Sequence, residues 1–237
     1  MTARALLVVV MLASPADAGR TQFGWLPETE TLADGAFELG TSLYEYDNLG
    51  PYHVRSTSLL WTPAIGLTHC LELAFPVELV TRTEDDAAPW SGVSRYGAEL
   101  RWRFLRNWPE LHPVARFAVS RDVEIQSAVR TEAGVAAAYD AGPVQIEGAV
   151  GGVLDINFAH FHRELRPGLG ANVRVNDQLR LGAELYAQLS RDDTTPSWAV
   201  VGPDAAWQRG RFWLSAALGV GIKNITAAPR LNLGAVW

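Results

Sequence analysis

Apolar and polar residues alternate one for one over stretches of ten or more residues, and this period dominates the chain. From Arg95 to Phe104 the odd positions are Arg95, Gly97, Glu99, Arg101 and Arg103. The even positions are Tyr96, Ala98, Leu100, Trp102 and Phe104. From Leu179 to Leu189 the odd face is Leu179, Leu181, Ala183, Leu185, Ala187 and Leu189, and the even face carries Arg180, Gly182, Glu184, Tyr186 and Gln188. A period of two puts successive side chains on opposite faces of a β-strand, whereas the helical period is scarce here. About twelve such segments are expected: 35–46, 52–62, 68–80, 92–105, 112–121, 128–140, 143–155, 160–175, 178–190, 197–207, 211–223 and 229–237. In 52–62 the parity is ambiguous. Soluble strands average about five or six residues. Segments twice that length, tilted, match the apolar band of roughly 25 Å in an outer-membrane barrel.

Other features bear on what the alternation means. Of 237 residues, 48% are hydrophobic and the net charge is only −6, which excludes a disordered chain and a basic nucleic-acid binder. A single cysteine, Cys70, excludes a disulfide scaffold and a cysteine-rich zinc site, and it reads as a buried structural thiol. Residues 1–18 read as a secretory signal, with Arg4 in the charged region, a short apolar run and the cleavage-type triplet Ala16, Asp17, Ala18. That run is too short to span a bilayer. Residues 19–33 then form a short periplasmic lead, with Phe23 and Trp25 as candidates to enter a lumen, and residues 34–237 form the barrel. The inter-strand stretches alternate between longer ones carrying acidic pairs (Asp85 and Asp86, Asp192 and Asp193) and tight ones such as Ala141 with Gly142, Asn176 with Asp177, and Arg209 with Gly210. Long outer loops alternating with short periplasmic turns is the outer-membrane arrangement. A turn at Arg209 and Gly210 would set Trp207 opposite Phe212. The last strand ends on Trp237, and Leu231, Leu233, Ala235 and Trp237 share one face. This resembles the terminal strand signal of bacterial outer-membrane barrels, which addresses them to the barrel assembly machinery.

Alternation alone does not say which face is inside. A secreted β-sandwich also has one apolar face per strand, turned to its core. The lipid-out alternative is favoured by glycines on the polar face (Gly97, Gly134, Gly151, Gly170, Gly182, Gly219, Gly221) and by charges of both signs there. The reading is an all-β, closed antiparallel transmembrane β-barrel of about twelve strands, with outer-membrane lipid as its surroundings. The expected lumen-lining charges are Glu72, Glu78, Arg95, Glu99, Arg101, Arg103, Arg116, Glu132, Glu147, Arg174, Glu184 and Lys223. Arg101 should fall opposite Arg116. Like charges in that position need nearby acids such as Glu99 or Glu132, or an anionic ligand.

The first half carries a family resemblance. Gly35, Ala36, Phe37, Glu38, Leu39 and Gly40 lead into Leu43 and Tyr44. Ile65, Gly66, Leu67 and Thr68 follow, then Leu71, Glu72, Leu73, Ala74, Phe75 and Pro76, and then Val93 through Arg101, Trp102, Arg103, Phe104 and Leu105. This run resembles the group of outer-membrane transporters named for the MetA pathway of phenol degradation. The resemblance implies an outer-membrane channel or transporter and leaves the solute open.

Enzymatic constellations were sought and none is expected. No histidine is followed by serine at strand spacing, and nucleotide, serine-hydrolase and zincin motifs are absent, so neither catalysis nor a cofactor is predicted. The sharpest local pattern is His160, His162 and Glu164, three potential metal ligands on one strand face, with His53 a candidate for the same level; solvated rim residues are the competing reading. The functional expectation is a narrow channel for a small solute in the outer membrane of a Gram-negative bacterium. The alternative is a sealed structural or surface-interaction barrel.

Overall fold

The computed structural model describes residues 22–48, 54–83, 88–105, 107–123, 128–156, 161–191 and 196–237. The secretory signal expected at residues 1–18, the acidic pairs Asp85–Asp86 and Asp192–Asp193, and His53 and His160 lie outside the described residues.

Among the described residues every regular element is a strand. They are β1 (Phe37–Asn48), β2 (Val54–Thr68), β3 (Leu71–Ala74), β4 (Val77–Thr83), β5 (Trp90–Arg103), β6 (Leu111–Asp122) and β7 (Val129–Ala141). They continue with β8 (Val144–Ile156), β9 (Phe161–Arg174), β10 (Leu179–Ser190), β11 (Trp198–Arg209), β12 (Phe212–Lys223) and β13 (Ala227–Val236). Consecutive strands pair antiparallel, except that β3 and β4 each pair with β2 and β5, and β1 closes the ring by pairing with β13 over Glu38↔Val236 to Tyr44↔Arg230. Closure removes every free strand edge.

Thirteen elements make twelve staves. The expected strand 68–80 is cut at Phe75 and Pro76 into β3 and β4, which lie end to end between β2 and β5. Proline has no N–H for the ladder, so the pairing lapses there. Two turns also sit one residue later than the sequence reading placed them. Ala141 pairs Val144 and Arg209 pairs Phe212, so Gly142 with Pro143 and Gly210 with Arg211 form the loops. The glycines supply the left-handed φ of 65° and 58° that a two-residue hairpin turn needs. Trp207 therefore faces Leu214, not Phe212.

Exposure settles which face is which. Trp102, Leu185 and Leu218 are 52%, 42% and 53% exposed on the outer wall, while Glu99 and Glu184 are 3% and 4% exposed inside. A soluble sandwich would have these reversed. In β2 the ambiguous parity resolves with Ser56, Ser58, Ala64 and Gly66 inward and Leu59, Trp61, Ile65 and Leu67 outward. Phe37, Phe75, Trp102, Trp108, Tyr139, Trp207 and Phe212 are exposed near the end of the barrel where β1 starts and β13 stops, which is the place of an aromatic girdle. That end is called the terminal end below, and the other the loop end. Cys70 is not buried: it is part-exposed in the turn between β2 and β3, its N–H donating to Thr68 Oγ1 at 3.3 Å.

This outer wall makes a direct prediction. Leu185, in the middle of β10, faces outward between Leu169 and Val201. Leu185→Arg should cost about 2–4 kcal/mol in lipid, as charge does at the midplane of a barrel's lipid face. Unfolding titrations in phospholipid vesicles measure it, and a neutral result would count against lipid contact.

Candidate functional site

Part of the lumen is filled from within. Residues 22–36 have no regular structure, and 22–32 lie inside the barrel as a loop. Phe23 sits low, its carbonyl accepting from Ser215 Oγ at 3.1 Å, and the chain rises to an apex at Trp25 before returning to Gly35 at the start of β1. Phe23, Trp25, Leu26 and Leu32 are all buried. An irregular segment carries backbone N–H and C=O groups that must find partners once buried. The wall supplies them. The Glu184 carboxylate accepts from the N–H groups of Gly24 (3.1 Å), Trp25 (2.9 Å) and Leu26 (3.3 Å). Glu72 accepts from Leu32 N–H at 2.9 Å, and Asn232 Nδ2 donates to the Gly24 carbonyl at 3.0 Å. Thr29 Oγ1 donates to Glu147 at 3.4 Å, and Glu28 pairs with Arg101.

Shape reinforces the bonding. A Cβ on Gly170 would stand 2.5 Å from the Phe23 ring, and one on Gly168 would stand 2.3 Å from Leu26 Cδ2. The two wall glycines thus make the recess that receives both side chains. Gly170→Val should push Phe23 out without removing a polar bond, an overpacking cost of about 1–3 kcal/mol. Faster hydrogen exchange at the amides of Gly24 and Trp25, with unchanged protection in the strands, would be its signature; uniform protection would contradict it.

The apex is held by aromatic rings. Trp25 stacks on Tyr186 at 5.3 Å and meets Trp198 at 5.7 Å and Tyr44 at 6.2 Å between centroids. Its indole N–H donates to the Ala228 carbonyl at 3.0 Å. The Arg230 guanidinium lies 5.2 Å from the rings of both Trp25 and Tyr44.

Around the apex is a cavity of about 630 Å³, bordered by Gly24, Trp25, Leu26, Pro27 and Glu28; its lining runs from Glu38 and Trp213 near the terminal end to Asp155, His162 and Gln188 toward the loop end. Its wall carries a continuous ion-pair network. Arg101 and Arg116 are direct cross-strand partners, and Glu99 lies between them at 2.5 Å and 2.7 Å, which removes the like-charge conflict. Glu132 meets Arg130 at 2.8 Å, Arg116 and Arg166 at 3.5 Å, and Arg95 at 3.7 Å. Glu164 meets Arg166 and His162, each at 2.7 Å. Glu78 takes Arg95 at 2.8 Å and Ser94 Oγ at 2.9 Å, and it also accepts from the Tyr44 hydroxyl. Ser94 and Arg95 both reach inward because a bulge opposite Glu78 and Leu79 breaks the alternation there.

The charges expected in the lumen separate by depth. Glu78, Arg95, Glu99, Arg101, Arg116 and Glu132 line the cavity. Glu72, Glu147 and Glu184 are buried against the loop, and Arg103 sits low, 2.7 Å from His112 Nδ1. Arg174 and Lys223 are exposed at the terminal and loop ends of their strands, at the rims of the barrel. Alternation gives a residue's side but not its depth. Of the metal candidates, Glu164 is spent on Arg166 and His162, and no group of three potential ligands gathers among the described residues. Sequence reading missed Arg130, Arg166, Asp155, Asp204 and Arg230. All five stand at inward positions of their strands, so strict parity counting could have found them.

Comparison with known proteins adds the fold class. No family model and no curated protein matches the sequence. Among solved structures, the chain is similar to an outer membrane channel from Pseudomonas putida F1, at 15% identity and a TM-score of 0.63, over 89% of this chain and 98% of that one. It is also similar to the translocator domain of the autotransporter NalP from Neisseria meningitidis, at 11% identity and a TM-score of 0.58, over 87% and 89%. A third is the KdgM porin in complex with disordered oligogalacturonate, at 9% identity and a TM-score of 0.54, over 84% and 98%. At such identities the likeness speaks for the fold: a closed antiparallel barrel of the outer-membrane type.

Proposed function

We propose that the chain is a passage for a small solute across the outer membrane of a Gram-negative bacterium, shut on the periplasmic side by its own N-terminal loop. The observation that carries this is a charged lumen cavity of about 630 Å³ narrowed by a segment that is not part of the wall. A barrel needing only to be filled would gain nothing from an aqueous chamber lined with ion pairs, because burying charge costs more than packing apolar side chains. The terminal end faces the periplasm in this reading. Residues 1–18 deliver the chain as a cleaved signal, and the strand ending at Trp237 presents it to the barrel assembly machinery. The resemblance of residues 30–105 to outer-membrane transporters agrees with transport. So does the company of a channel and a porin among structures of like fold. No catalytic role is assigned.

One observation favours the alternative, a sealed barrel: the loop fills the lower lumen with buried side chains and satisfied hydrogen bonds. Planar-bilayer recording separates the two. The chain lacking residues 22–32, shown to be folded by heat-modifiable gel mobility, should pass ohmic current well above that of the full chain. Electrical silence from the folded deletion variant would establish the sealed barrel.

A further inference from the structure

We propose that Arg230 is the solute-binding residue of the vestibule and that it takes the carboxylate of a small organic monoanion. This rests on the vestibule being a solute passage. Within that chamber Arg95, Arg101, Arg116, Arg130 and Arg166 each touch at least one carboxylate. Arg230 touches none among the described residues. Its Nε donates to Asn232 Oδ1 at 3.1 Å, and its guanidinium rests against the Trp25 and Tyr44 rings. It also lines the cavity.

A guanidinium held in a protein interior without a counter-ion is costly, and ring faces offset only part of that cost. Glu184 attracts it through space, but both Glu184 oxygens are committed to the loop's N–H groups. Arg116, on the other side of the chamber, adds repulsion. To an anion entering from the loop end Arg230 offers a guanidinium with no carboxylate partner among the described residues, and its planar fork matches a carboxylate. The valence follows from the surroundings. Glu78, Glu99, Glu132 and Glu164 line the same cavity already matched to arginines, so Arg230 supplies one unmatched positive charge, which suits a monoanion. Tyr44, Tyr186 and Trp198 beside Arg230, with Leu60 and Val80, supply apolar surface for the body of the molecule.

The test is isothermal titration of the full-length protein in detergent. The probes are cyclohexanecarboxylate, its uncharged analogue cyclohexanecarboxamide, and inorganic phosphate. The acid should bind at least tenfold more tightly than the amide and than phosphate. Arg230→Gln should erase the preference for the acid, and Arg230→Lys should retain part of it. Equal affinity for acid and amide in the unaltered protein, or no binding of either, overturns the proposal without any variant. So does undiminished acid binding by folded Arg230→Gln. Current through the chain lacking residues 22–32 is measured separately. Current with no preference for the acid defeats the carboxylate site alone, whereas silence defeats the passage itself.

Discussion

Glu184→Ala is expected to loosen the N-terminal loop and raise the open probability of the barrel about a hundredfold. One carboxylate there accepts from three successive backbone N–H groups, at Gly24, Trp25 and Leu26. Hydrogen bonds to a charged group are worth about 1.5–3 kcal/mol each, and more is lost when the partner is left buried and unsatisfied. The three donors share one acceptor group, and water from the vestibule can reach the vacated site, so the net loss is set at about 3 kcal/mol and not at the sum. Each 1.4 kcal/mol is a factor of ten in an equilibrium. The loop is not set free altogether. The Trp25 rings, the Ser215 and Asn232 bonds and the Phe23 recess all remain. Brief, frequent openings are therefore expected in single-channel records, not a standing pore. Glu184→Gln, which keeps one carbonyl oxygen of the same shape, should fall between the two. Unchanged gating in Glu184→Ala, with unchanged exchange at residues 24–26, would show that the loop is held by packing alone.

The entry of Phe23 and Trp25 into the lumen was legible along with the barrel, but the grip on the loop was not, and the reason lies in what each is made of. Strand alternation is written in side chains. Arg95, Gly97, Glu99, Arg101 and Arg103 give the inward face of β5, and counting residues across the 106–110 turn gave the Arg101↔Arg116 register that the structure contains. The loop is instead gripped largely through its backbone. Nothing in Gly24, Trp25 and Leu26 as residue types announces that their amides meet Glu184, and nothing in Glu184 tells a loop-holding carboxylate from a lumen salt bridge. Gly170 reads as space in a narrow lumen, but not, with Gly168, as the recess for Phe23 and Leu26. The bulge at Ser94 and the break at Pro76 displaced the pattern locally, since each trades a ladder bond for a kink that no period records.

Reversing charge at Arg101 and at Arg116 should give opposite kinds of phenotype, although the two residues face each other across one strand pair. The Arg101 side chain is 12% exposed and meets Glu28 of the loop, Glu72 of β3 and Glu99 of its own strand, with Glu72 wholly buried. Arg101→Glu sets a fourth carboxylate among three. Removing one partner of a buried ion pair costs about 3–5 kcal/mol, and reversal costs at least that. The loss falls on the attachment of the loop and on the pairing of β3 with β5. The folded form should therefore melt at a markedly lower temperature in heat-modifiable mobility assays, and what remains folded should conduct. Arg116 is different. Its side chain is 36% exposed to the vestibule and shares Glu99 and Glu132 with other arginines, so solvent and Arg130 offset the change. Arg116→Glu should leave melting nearly unaltered. In a background opened by Glu184→Ala, it should shift the reversal potential in a salt gradient toward cations. If Arg101→Glu folded with wild-type stability, or if Arg116→Glu left selectivity untouched in an open barrel, the division of the lumen into a structural lower half and a solute-facing upper half would be wrong.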